Sequence, residues 1–202
     1  MVKGRFICID GPNGVGKSTV IEQLSILLKN SDIDVFFTKE PTSSNLGQFI
    51  RNEQGNFTGK VLACLVAADR YDHIERIIAP KLRRGEVVIS DRYLPSSLVY
   101  QVIDGVETTF IWKLNEDIIM PNLFVHISAS PEEIGRRLAE RSELTRFESL
   151  SILNSEISLY KKAFNTLQSK GYNVLEIDNG ITSAQENAKI IYGAIIQLLN
   201  DN

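Results

Sequence analysis

Gly11-Pro12-Asn13-Gly14-Val15-Gly16-Lys17-Ser18 holds the densest chemistry in this 202-residue sequence. It matches the pattern GxxxxGK[ST] in full. Glycines let a backbone turn tightly and aim N–H groups inward at phosphate oxygens, and a helix that starts there adds its partial positive charge. Asn13, Gly14, Val15, Gly16, Lys17, Ser18 and Thr19 are therefore expected around a triphosphate, with Lys17 at the β- and γ-phosphates and the Ser18 hydroxyl on Mg²⁺. A chance glycine-rich turn would lack the right flanks. Here an apolar run, Phe6–Asp10, precedes the loop and an amphipathic stretch, Lys17–Lys29, follows it. Such a loop serves GTPases, motors and kinases alike. The chain has no Asn-Lys-x-Asp and is short for a motor, so a small kinase is the preferred class.

Asp91-Arg92-Tyr93 follows a short apolar run, Val87–Ser90. Ligands of open parallel sheets bind beyond the carboxyl ends of strands. A carboxylate there can hold Mg²⁺ or its water, and Arg92 can pair with a phosphate bidentately; the plainer alternative is a solvated turn. Arg136, Arg137, Arg141 and Arg146 gather around a polar break, Ser142–Phe147. They form either a solvated helix face or a lid that closes arginines over a transferring phosphoryl group. Asp69-Arg70 interrupts an otherwise apolar helical stretch and so needs a partner or a ligand. His126 reads as a hydrogen-bonded core residue.

The elements that must position these groups alternate. Strands are expected at Phe6–Asp10, Ile33–Thr38, Val87–Ser90, Leu123–Ser128 and Asn173–Ile177. Helices are expected at Lys17–Lys29, Gly59–Arg83, Ser96–Ile103, Thr109–Ile119, Pro131 to about Arg141, Glu148–Lys170 and Ser183–Leu199. Glu40–Ser44 reads as a polar loop. Val61, Leu65, Ile74, Ile77 and Ile78 form the expected core stripe of the long helix, which Pro80 bends or ends. Ser130 caps the helix that begins at Pro131. The alternation implies an α/β fold with a parallel sheet covered on both faces, in one domain over 1–202 with a short lid near 141–148.

Composition agrees. A hydrophobic fraction of 43% supports a sizeable core, and a net charge of −3 argues against a nucleic-acid partner. Cys8 and Cys64 show no metal spacing and read as buried thiols of a reducing cytoplasm. No apolar run reaches the ~20 residues of a membrane span, so a cytoplasmic protein without membrane contact is expected.

Together these pieces resemble thymidylate kinase: the phosphate loop, Thr38-Lys39-Glu40-Pro41, Leu46-Gly47-Gln48-Phe49-Ile50-Arg51, Ala67-Ala68-Asp69-Arg70, Asp91-Arg92-Tyr93 with Ser96, Ser97, Tyr100 and Gln101, and Arg141 to Glu148. The likeness runs from about Phe6 to Ile177 and implies the three-layer P-loop NTPase fold. It also implies transfer of the ATP γ-phosphate to a deoxynucleoside monophosphate with Mg²⁺ on Ser18 and Asp91. Lys17, Asp91, Arg92, Arg141 and Arg146 would be catalytic. Glu40, Arg51, Val66, Arg70, Arg92, Ser96, Ser97, Tyr100 and Gln101 would surround the acceptor. Arg51 and Arg92 would hold its phosphate, Arg70 its base edge, and Tyr100 its sugar. With no arginine at Pro12, Asn13 or Val15, the chain resembles the type whose catalytic arginine sits in the lid. A homodimer packed through helices such as Gly59–Arg83 is also implied. The sequence departs from the family at Asn13, usually acidic, at Val66, usually Phe, and at Thr42-Ser43-Ser44, commonly Gly-Gly. The acceptor could thus be dTMP or another pyrimidine nucleotide; an ATP-binding protein without turnover is the reading outside enzymes.

Overall fold

Residue alternation along the first strand decides the architecture. In β1 (Arg5–Asp10), Phe6 and Cys8 enter one core while Ile7 and Ile9 enter another. A strand buried on both faces must lie between helical layers. The computed structural model describes residues 4–53, 55–140, 147 and 150–201. In it β1 is the centre of a five-stranded parallel sheet. It is flanked by β3 (Val87–Asp91) and β4 (Leu123–Ser128), with β2 (Val35–Lys39) outside β3 and β5 (Val174–Asp178) outside β4. The expected α/β class and the covered parallel sheet are what the chain forms. Register sets Lys39 and Ile9 beside Asp91, and His126 beside Asp10. The carboxyl ends of β1, β2 and β3 therefore share one edge, the place where such sheets bind ligands.

One layer packs α1 (Lys17–Lys29) against α9 (Ala184–Asn200) through Val20, Leu24, Leu28, Ala188, Ile191 and Ile195. The other holds α3 (Gly59–His73), α5 (Leu94–Ile103) and α8 (Leu150–Ser169), with Leu98, Val99, Tyr160 and Phe164 in its core. In α7 (Pro131–Ala139) the Ser130 side chain accepts from the Glu133 N–H, the cap its sequence predicts. Among the described residues no helix is long and apolar enough to cross a membrane.

Several expectations are corrected. The second strand begins at Val35 rather than Ile33. The stretch Leu46–Arg51 lies in a helix, α2 (Asn45–Glu53), which opens directly after the polar turn. Gly47 is required there, because a Cβ at this position would clash with the Thr42 carbonyl oxygen. Of the expected stripe Ile74 and Ile78 are buried in the core, but within α3 the inward face is rotated from the expected one. Leu62, Ala63, Ala67, Arg70 and His73 face inward, whereas Val61 is 54% exposed and Cys64 is exposed rather than buried. Beyond His73 the rod continues through a π-helical turn, Ile74–Ile78, into α4 (Ala79–Arg83). Pro80 neither ends nor interrupts it, because the wide turn lies just ahead and Pro80 occupies the first turn of α4, where no intrahelical N–H is needed. The expected helix at Thr109–Ile119 is shorter, α6 (Thr108–Leu114), and ends where the Asn115 amide folds back onto the Ile111 carbonyl at 2.8 Å.

Candidate active site

The phosphate loop closes between β1 and α1 as its residues require. Gly16 adopts φ 90°, a left-handed conformation open to glycine, immediately ahead of Lys17. Lys17 is buried, with its Nζ 3.5 Å from Asp91 Oδ1. Burial, then the nearby Arg92 charge, pushes the Lys17 ammonium pKa down, while Asp91 and Asp10 oppose that shift. Asp91 Oδ1 is itself buried without a hydrogen-bond partner. A carboxylate oxygen at a strand end whose charged neighbour is the Lys17 ammonium, together with a hydroxyl in the first turn of α1 at Ser18, suits Mg²⁺. That ion takes one or two protein oxygens and fills its remaining positions with phosphate and water.

Arg92 is the junction of the site. It holds φ 71°, a sparsely populated conformation for a side-chain-bearing residue. Its N–H donates to the Ile9 carbonyl and its own carbonyl accepts from the Ser90 hydroxyl. These bonds fix the turn at the strand end and send the guanidinium across the loop. There Nη2 donates to Asn13 Oδ1 at 2.7 Å, and Nη1 donates to Ser96, Tyr100 and Tyr160 oxygens at 3.0, 3.1 and 2.9 Å. Beneath it lies Asp10, fully buried. Asp10 accepts from the Gly11 and Ser96 N–H groups and from the Ser96 and Tyr160 hydroxyls, each at 2.9 Å.

Beyond Arg92 opens a cavity of ≈ 190 Å³. Asn13, Glu40, Val66, Arg70, Arg92, Ser96, Ser97, Tyr100 and Gln101 line it with Ile50, Leu62 and Phe147. The structure thus brings together nearly every residue expected around the acceptor. Arg51 stands outside the lining and donates to the carbonyl of Pro41, which does line it. Arg70 is more heavily engaged than its expected role suggests. Its Nε and Nη2 meet Glu40 at 2.9 and 2.8 Å, Nη2 donates to Ser97 at 3.0 Å, and Nη1 donates to Asn115 at 2.6 Å. A guanidinium carries five N–H donors, so one on Nη1 is left for a ligand. Asp69 is not a ligand group. It accepts from the Thr42 N–H and hydroxyl and from the Ser44 hydroxyl, shaping the turn that leads into α2.

A second pocket, ≈ 490 Å³, lies on the other side of the loop between Gly16, Thr19, Arg137 and the segment Asn179–Ala184. Arg137 is a brace rather than a free lid arginine. It donates to the Val15 carbonyl at 2.7 Å, the Asn179 carbonyl at 2.8 Å and Glu133 at 2.7 Å. Arg136 pairs with Glu133 and Glu140 in solvent, the solvated reading of that cluster. Arg141, Arg146 and nearly all of the expected lid at 141–148 lie outside the described residues. Phe147 is described, and its ring packs on Tyr100 with centroids 4.9 Å apart. His126 is buried as expected but not hydrogen-bonded through Nδ1, which lies 3.8 Å from Glu176; the ring stacks on Phe164 instead.

Sequence reasoning missed Asp10, Asn115, Glu156, Tyr160 and Asn179. Their roles depend on partners far along the chain, as when Tyr160 meets Asp10 across 150 positions. Asp10, ending an apolar strand directly before the loop, was the one with a local signal.

A sequence model of the family described as thymidylate kinase matches residues 9–188. Among curated relatives, a probable thymidylate kinase of Pyrobaculum calidifontis is 33% identical over 174 residues, covering 85% of this chain and 86% of that one. Probable thymidylate kinases of Thermococcus onnurineus and Pyrococcus horikoshii are each 35% identical, covering 75% and 77% of this chain and 80% of their own.

Proposed function

The chain belongs to the thymidylate kinase family, and from that premise we propose that its Arg92-gated cavity binds dTMP while the phosphate loop holds ATP. It is a phosphotransferase with ATP as phosphoryl donor, here read as converting dTMP to dTDP. The observation that carries this reading is the placement of Arg92, which reaches the phosphate loop at Asn13 and the cavity wall at Tyr100 with one guanidinium. A group there can grip an acceptor phosphate next to the donor γ-phosphate.

Phosphoryl transfer needs little covalent help from protein; positioning and charge stabilisation supply most of the rate. Lys17 approaches the transferring group from the loop and Arg92 from the acceptor side. Arg51 adds charge at the rim, and Arg141 or Arg146 closes from the lid. Ser18 and Asp91 would hold Mg²⁺, which would neutralise charge on the donor phosphates. The donor nucleoside occupies the pocket beside Arg137, where Ile181, 87% exposed, offers an apolar surface to a base. In the cavity, the free Arg70 N–H, Ser97 and Gln101 face the base edge, Val66 lies over its plane, and Tyr100 borders the sugar.

The unit extends over 1–202 as one domain with a lid near 141–148. We place it in the cytoplasm as a homodimer without nucleic-acid or membrane partners. The outward face of α3 at Val61 and Cys64, with exposed Phe49 on α2, supports that interface. ADP release measured with ATP, Mg²⁺ and a panel of dTMP, dUMP, dCMP, UMP and AMP tests the function. A preference for dCMP or AMP over dTMP of more than about tenfold, ~1.4 kcal/mol in transition-state binding, defeats the dTMP assignment.

A further inference from the structure

A guanidinium carries five N–H donors, and the fold commits those of Arg92 unevenly. The two protons of Nη1 face a crowd of oxygens: Tyr160 at 2.9 Å, Ser96 at 3.0 Å and Tyr100 at 3.1 Å. Nη2 gives one proton to Asn13 at 2.7 Å. Among the described residues nothing accepts from Nε or takes the second proton of Nη2. Nε and Nη2 form one edge of the guanidinium, and such an edge can grip two phosphate oxygens side by side. Arg92 is thus anchored along Nη1 and left open along the other edge, at the wall of the cavity.

The anchor depends on Tyr160. Asp10 is the charge beneath the guanidinium, but its Oδ1 lies 3.4 Å from Nη1, beyond the reach of a strong hydrogen bond. The Tyr160 hydroxyl bridges that gap. It donates to Asp10 Oδ1 at 2.9 Å and accepts from Nη1 at 2.9 Å. Burial, then the Asp10 charge, raises the pKa of this phenol, so its proton stays available to donate. The ring is fully buried on α8, stacked 23° from the plane of Phe164 and edge-on to Tyr100 at 82°. Its hydroxyl therefore has one place to be. The Tyr100 hydroxyl borders the cavity itself, and its proton passes to Glu156, also on α8, at 2.6 Å.

We propose that Tyr160 is a positioning residue for Arg92: by relaying the Asp10 charge to Nη1 it holds the Nε and Nη2 edge toward the acceptor phosphate. The proposal rests on the acceptor reading above, with that phosphate on Arg92. Tyr160 lies outside the cavity lining and touches no substrate in this arrangement. Its effect must pass through the guanidinium, and it must concern the phosphate of the acceptor rather than its nucleoside.

The test compares the Kd of dTMP with that of thymidine, which lacks the phosphate. Tyr160→Phe removes one oxygen and keeps the ring, and Asp10 retains its bonds from the Gly11 and Ser96 N–H groups and the Ser96 hydroxyl. The ratio of thymidine Kd to dTMP Kd should fall about tenfold, through weaker dTMP binding, as expected when a charged group loses one hydrogen bond that orients it. Thymidine binding should move by under about twofold, the ordinary scatter between sites that do not interact. In the Arg92→Met background, adding Tyr160→Phe should change the ratio by under about twofold, because the group it acts through is gone. A merely structural role would weaken dTMP and thymidine together, and a direct effect would persist without Arg92; either result overturns the proposal. Both ligands bind the same folded molecules, so the ratio is insensitive to lost folded protein, and sucrose can restore the folded state for both measurements if the variant needs it. A parent chain that binds dTMP more tightly than thymidine, with a ratio that Tyr160→Phe leaves unmoved, sinks this inference alone. A parent chain that gains nothing from the phosphate, or binds neither compound, sinks the acceptor reading with it.

Discussion

The phosphate loop and the acceptor cavity meet at Arg92, but they are built in different ways. The loop is a local object. Its glycines, its lysine and its helix lie within one short run, and the backbone supplies the shape. The cavity is assembled from α2, α3 and α5 with the segment after β2, and its walls are held by buried charged groups whose partners come from elsewhere in the chain: Glu40 with Arg70 and His73, Asp69 with the Thr42 and Ser44 hydroxyls, Asp10 with the Ser96 and Tyr160 hydroxyls. A loop of the first kind can lose a side chain and keep its form. A wall of the second kind loses stability when one member goes, because the partner is left charged and dry.

Glu40→Ala should show this most strongly. It strands the Arg70 guanidinium, 1% exposed, at a cost of about 3–5 kcal/mol. For a chain of this size that corresponds to a fall of roughly 6–20 °C in Tm, read by thermal melting. A drop of under about 2 °C would mean that the buried network is not what holds the cavity. Lys17→Ala should behave in the opposite sense. Turnover should fall about 10²–10³-fold, because a charge aimed at the transferring phosphoryl group acts in a dry site. Tm should stay the same or rise, since the desolvated ammonium that burial disfavours is gone. Near-normal ADP release from this variant would remove Lys17 from the mechanism. Arg92→Met lies between the two. Losing its charged hydrogen bonds to the acceptor phosphate, at ~1.5–3 kcal/mol each, should cut kcat/KM for dTMP about 10²-fold. ATP affinity should move by under about threefold, because Lys17 and the loop backbone hold the donor. Equal losses for ATP and dTMP would show that Arg92 serves both sides alike.

The same contrast explains what could be read in the sequence. Lys17, Ser18 and Gly16 announce the loop because spacing along the chain is their spacing in space. β1 and β4 were legible because strands buried on both faces are continuous apolar runs. The α3 stripe was misread because Val61 and Leu65 are apolar, whereas the true inward face carries Asp69, Arg70 and His73, polar residues whose partners lie elsewhere. Asp69 and Arg70 read in the sequence as charges that need partners, but position along the chain does not name Thr42, Asn115 and Glu40. Glu156 looked like an ordinary charge on an amphipathic helix until folding placed it on Tyr100. Helix α2 escaped notice because its first turn, Asn45 to Gly47, reads as a continuation of the polar loop before it.

Val66 gives the finest test of the cavity, and the smallest effect. It sits one helical turn before Arg70 on α3, half-buried, and lines the cavity beside Ile50 and Leu62. A phenylalanine there would add a ring above the plane in which Arg70 meets a base edge. Stacking contributes about 0.5–1.5 kcal/mol beyond area burial, so Val66→Phe should lower KM for dTMP roughly two- to tenfold. Overpacking a filled core costs about 1–3 kcal/mol, but these atoms would enter an open space of ≈ 190 Å³, so Tm should hold. KM for ATP should not move, since the donor pocket lies on the far side of the loop. If KM for dTMP rises while Tm is unchanged, the base does not lie under position 66, and the acceptor occupies the cavity in another orientation. If Tm falls as well, the cavity wall is too rigid to admit the ring, and the acceptor side is stiffer than its open volume suggests.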